Sequence, residues 1–118
     1  MGLNIVVVES DSRVAKSLCS HFHSVLMAGP GEELRERVAK NRPGAVILDL
    51  EHSRLSDIRN LRQDFPSLPI VCTHRVPDEE LWLAALEAGA NDVCSTNDVQ
   101  SVVASVLRNA AASSAAVA

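Results

Sequence analysis

Residues 45–50 read Ala-Val-Ile-Leu-Asp-Leu. The run is apolar without alternation until Asp49 closes it, which is the pattern of a strand buried on both faces. Arg42-Pro43-Gly44 stops whatever precedes it, and the polar loop EHSRLS follows. Leu3–Glu9 (LNIVVVE) has the same character. Val25–Ala28, Pro69–Thr73 (PIVCT) and Asp92–Ser95 (DVCS) read as shorter strands.

Amphipathic segments separate these strands. The first helix begins at Asp11 or Ser12, either of which can cap it, and carries Val14, Leu18 and Phe22 at i, i+4 and i+8. GEELRERVAKN follows Gly29-Pro30-Gly31 and turns Leu34 and Val38 inward. Ile58, Leu61 and Phe65 form the next stripe, which Pro66 ends. Pro77 is expected in the first turn of the fourth helix, with Asp78, Glu79 and Glu80 at its positive end. Ala88-Gly89-Ala90 closes that helix. The last helix starts near Asp98, with Val99, Val102, Val103, Val106, Leu107 and Ala110 on one stripe. The chain therefore divides into a domain over residues 1–108 and an Ala/Ser-rich tail or linker over 109–118.

A helix between every pair of strands implies right-handed crossovers and a parallel sheet covered on both faces. The expected fold is α/β: a doubly wound (βα)5 sheet of flavodoxin-like order 2-1-3-4-5. Ligands in such sheets bind where the winding reverses, at the carboxyl ends of the first and third strands. Glu9, Ser10, Asp11, Asp49, Leu50 and Glu51 lie there.

Composition narrows the function. At 118 residues the chain fits one domain, and 47% apolar with 22% charged residues excludes disorder, collagen and coiled coil as its overall description. No apolar run reaches the ~20 residues of a membrane span, and the N-terminal residues lack the features of a signal peptide. A net charge of −4 lacks the basic face that nucleic acid demands. The three cysteines are odd in number and far apart, so they read as reduced thiols of a cytoplasmic protein.

Glu9, Asp11 and Asp49 gathered at the switch point can hold a magnesium-like cation, and an aspartate beside such a cation can attack a phosphoryl group. The bland alternative is equally open: Glu9 and Asp11 cap the first helix and Asp49 ends a strand in water.

At these residues the chain resembles the receiver domains of two-component response regulators, from about residue 3 to about residue 108. The resemblance rests on VVVES, on AVILDL with Asp49, on PIVCT after Ser67-Leu68, and on ALEAGAND with its Ala-Gly-Ala turn. It implies that the acidic pair falls on Glu9 and Ser10, so one acid is lengthened and the other lost. The phospho-acceptor falls on Asp49, and the residue whose carbonyl reaches the cation is Glu51. Counting back from Gly89, the hydroxyl of the switch falls on His74, while a slip of one residue puts Thr73 there. Counting forward, the lysine falls on Thr96 and its proline on Asn97. His74 and Arg75 are the cations that could partly stand in for it.

The expected function is a degenerate receiver, not an enzyme, that signals by protein–protein contact in the cytoplasm. The alternative is a working receiver phosphorylated on Asp49 by a histidine kinase. No cofactor is required, and magnesium is held weakly if at all by Glu9, Asp49 and Glu51. Partners are a kinase, an output domain or a second copy, not nucleic acid or membrane. A nucleotide- or flavin-binding enzyme would need a Gly-rich phosphate loop, which neither strand–helix junction offers. Cys72, His74 and Cys94 lack zinc-ligand spacing, and His52 reads as a solvated loop residue. In the fourth helix Trp82, Ala85 and Leu86 form the expected core face. Leu81, Leu83 and Ala84 widen the apolar arc beyond what a sheet covers, so Leu83 is an expected interface residue.

Overall fold

The structure, a computed structural model, describes residues 3–9 and 11–117, with side chains as far as residue 113. Ser10 and Ala118 lie outside the described residues. Strands β1 (Asn4–Val8), β2 (Ser24–Met27), β3 (Ala45–Asp49), β4 (Ile70–His74) and β5 (Asp92–Ser95) alternate with helices α1 (Ser12–Cys19), α2 (Glu32–Asn41), α3 (Leu55–Asp64), α4 (Glu79–Ala88) and α5 (Val99–Val117). The five strands form one sheet in the order β2-β1-β3-β4-β5, and every pairing is parallel.

Alternation along the strands divides the core into two layers. Val6, Val46, Leu48, Ile70 and Cys72 face α2, α3 and α4, meeting Leu34, Val38, Ile58, Leu61, Ala85 and Ala88. Ile5, Val7, Ala45, Ile47 and Val71 face α1 and α5, meeting Leu18, Val102, Val103 and Val106. All five residues of β3 are buried, which is why its sequence shows no polar alternation.

Capping fixes the helix starts. Asp11 Oδ1 accepts from the Arg13 N–H at 2.9 Å, and Asp78 Oδ1 accepts from the Leu81 N–H at 2.8 Å. Asp78 is thus the cap of α4, and Pro77 precedes the helix rather than sitting in its first turn. The turn after α4 is built around Gly89, whose φ of 121° disfavours a side chain. A Cβ there would lie 2.8 Å from Arg62 Cβ. The Arg62 guanidinium uses that close approach, donating to the carbonyls of Gly89, Phe65 and Pro66 and to Asn91 Oδ1.

Four expectations shift. α1 ends at Cys19, and Phe22 is buried from the turn beyond it. In α4 the face against the core is Ala85 and Ala88, with Leu81 half-buried, while Trp82 is 42% exposed. An arc that is apolar nearly all round leaves periodicity little to choose by, and the small residues allow α4 to seat closely. In α5 Leu107 is exposed and Ser105 is buried in its place, because Ser105 Oγ donates to Asp92 Oδ2 at 2.6 Å. The helix also continues through Val117, so residues 109–117 are helical, and Ser113 Oγ donates to the Ser67 carbonyl.

Candidate functional site

The carboxyl ends of β1, β3 and β5 frame a cavity of about 330 Å³ lined by Glu9, Asp11, Asp49, Glu51, His52, Arg75, Thr96 and Asn97. The parallel register sets its geometry, because strands 1 and 3 part there as the chain leaves for α1 on one face and α3 on the other.

Asp49 is the buried member, 2% exposed. Its Oδ1 accepts from the Glu51 N–H at 3.0 Å, and its Oδ2 lies 2.6 Å from His52 Nδ1. His52 is therefore bonded to the site rather than a loop residue in water. The signal for it was local: the His52 N–H also returns to the Asp49 carbonyl at 3.2 Å, the i to i+3 closure of a turn.

Glu51 accepts from the Arg75 N–H at 2.8 Å, and the Arg75 Nε lies 3.1 Å from its other oxygen. That backbone N–H first of all, opposed by burial and helped by the guanidinium, holds the Glu51 carboxyl below its ordinary value. Glu9 Oε1 accepts from the Asp11 N–H at 3.0 Å, and Asp11 is committed to capping α1. Thr96 is 7% exposed and its Oγ1 has no hydrogen-bond partner among the described residues.

The cavity thus brings Glu9, Asp49, Glu51 and Thr96 together, and it leaves His74 out. His74 ends β4 with Nδ1 accepting the Val76 N–H at 3.0 Å. Thr73, not His74, pairs with Asp49 across the strands. The Cys72, His74 and Cys94 trio does not converge: Cys72 packs in the α2–α4 layer and Cys94 in the α1–α5 layer. Burial pushes their thiols up to about 12 and about 11, so both stay protonated. Among the described residues no group of three His, Cys, Asp or Glu side chains could hold a metal ion. Glu9, Asp49 and Glu51 each accept one backbone N–H of the chain at the cavity.

No protein-family model matches the chain. Residues of the chain are 35% identical to the response regulator MprA of Mycobacterium sp. (strain KMS) over 99 residues, covering 78% of this chain and 43% of that protein. The MprA of Mycobacterium leprae is 34% identical over 97 residues, with 76% and 42% covered. Among solved structures, a candidate response regulator from Chloroflexus aurantiacus superposes with a TM-score of 0.81 at 27% identity, covering 94% of this chain and 99% of that one. The BeF3-activated N-terminal receiver domain of Klebsiella pneumoniae RstA gives 0.76 at 25% identity, with 89% and 95% covered.

The chain is a receiver domain of the response-regulator family. It spans less than half the length of the curated relatives it matches. Of the residues that the resemblance assigns to receiver positions, Asp49, Glu9 and Thr96 line the cavity. No helix among the described residues is long and apolar enough to cross a membrane.

Proposed function

We propose that this receiver domain signals mainly through protein–protein contact, in the cytoplasm, with the phosphorylation chemistry of Asp49 impaired. The observation that carries the reading is that Thr96, on which the resemblance puts the lysine position, is buried and lines the cavity. Its hydroxyl offers a neutral hydrogen bond, roughly half as strong as a charge-assisted one. The basic side chains that do line the cavity, His52 and Arg75, are engaged with Asp49 and Glu51. Neither is placed as a spare positive charge for an incoming anion. Partners of the expected kind are a kinase, an output domain or a second copy of the chain. The exposed Trp82, Leu83 and Leu107 supply apolar contact area on α4 and α5.

A second reading keeps Asp49 as a working acceptor for a histidine kinase. It is favoured by the position of Asp49 itself, on the cavity wall beside Glu9.

The separating experiment is Asp49→Asn in the full chain, scored for signalling output in the native host. Unchanged output is expected. Loss of output from a folded Asp49→Asn protein would establish the second reading.

A further inference from the structure

Both oxygens of the Asp49 carboxylate are taken by the loop that follows it, Oδ1 by the Glu51 N–H and Oδ2 by His52 Nδ1. An ionised carboxylate only accepts hydrogen bonds, so Nδ1 carries the proton. A buried charge is costly without such partners. Here the chain supplies two partners within three residues of Asp49.

We propose that His52 is a built-in cover on Asp49. The imidazole occupies the outer carboxylate oxygen, and it must swing away before that oxygen can reach a phosphorus atom. Exposure sets which partner moves. The Asp49 side chain is 3% exposed and fixed in the core, whereas that of His52 is 50% exposed and can turn into solvent. The rest of the loop is pinned: Arg75, at the end of β4, holds the Glu51 carboxylate through both its N–H and its guanidinium. Only the His52 side chain, not the loop, needs to move. The cover rests on the reading of impaired chemistry at Asp49 and gives it a cause beyond the missing lysine.

The test compares wild type, His52→Ala and His52→Ala/Asp49→Asn, each as the full chain. Each is incubated with acetyl phosphate in a magnesium-containing buffer and read by intact mass. In the reaction sought, Asp49 Oδ2 forms a bond to phosphorus as the bond from phosphorus to the acetyl oxygen breaks, and acetate leaves with the electron pair. His52→Ala is expected to gain a phosphoryl group at least about tenfold faster than wild type, the scale set by losing one charge-assisted bond. The double variant should gain none. Equal rates in wild type and His52→Ala, whether fast or slow, overturn the cover. Rapid labelling of wild type overturns the reading of impaired chemistry as well, whereas equal and slow rates overturn the cover alone, so the two failures are distinguishable. Should His52→Ala not fold, the Nδ1 nitrogen resonance of His52 reads the bond directly. It is expected to move on Asp49→Asn, and an unmoved resonance overturns the proposal.

Discussion

Asp49 and Thr73 are rung partners on β3 and β4, 2% and 1% exposed. Each stands two residues beyond a core residue of the α1–α5 layer, Ile47 and Val71, so both side chains leave the sheet on that side. The carboxylate nevertheless bonds to its own loop, and Thr73 Oγ1 has no hydrogen-bond partner among the described residues.

A buried hydroxyl without a partner costs about 1–3 kcal/mol. Thr73→Val keeps the branched shape and removes the cost, so it should stabilise the fold by about 1 kcal/mol, at the low end of that range. The midpoint of urea unfolding should rise with its slope unchanged. A lower midpoint would mean that the hydroxyl is bonded in solution.

Arg62 ties α3 to the turn after α4 through Gly89, Asn91 and the carbonyls that end α3. Hydrogen bonds from a charged donor are worth roughly 1.5–3 kcal/mol. Arg62→Ala should therefore cost about 2–3 kcal/mol in chemical unfolding. Arg62→Lys should recover only part of the loss, because a lysine lacks the planar fork that reaches several carbonyls at once. Full recovery by lysine would show that charge alone matters there.

Asp98 holds the start of α5, with Oδ1 accepting the Ser101 N–H at 3.1 Å and Oδ2 accepting its hydroxyl at 2.6 Å. The Ser101 hydroxyl, and then its N–H, hold the Asp98 carboxyl below its ordinary value. A carboxyl lowered by folding stabilises the native state above its unfolded-state value, and that stabilisation is lost as pH falls through the folded value. Asp98→Ala should thus melt below wild type at neutral pH, and the gap should close in acid. A gap that persists after the carboxylate is protonated would assign it to helix propensity instead.

Leu83 and Trp82 are 47% and 42% exposed on α4. Full burial of a leucine is worth roughly 1.5–3 kcal/mol. Leu83→Glu should then weaken self-association or partner binding by about tenfold or more. Its melting point should match wild type, since the side chain faces outward. Sedimentation over a concentration series, with and without a partner, measures both. Identical association in the two proteins would remove α4 from the interface.

The strands, their order and the cap of α1 were legible in the sequence. Ala45–Asp49 is buried on both faces and therefore lacks alternation. That Asp49 closes this buried strand was legible for the same reason. Asp11 caps the helix that begins beside it, whereas the cap of α4 fell on Asp78 and not in the turn expected to hold Pro77. Where local signals were weak, the tertiary structure decided. α4 is apolar nearly all round, so only packing on the sheet turned Trp82 outward and Ala88 inward. Ser105 entered the core in place of Leu107 because Asp92, on another element, accepts its hydroxyl. The contents of the cavity were the least legible part. Whether Glu51 bonds to Arg75 and His52 to Asp49 depends on how a polar loop closes over a buried charge. No hydrophobic period records that closure, since its driving force is the cost of leaving a carboxylate in the core without donors.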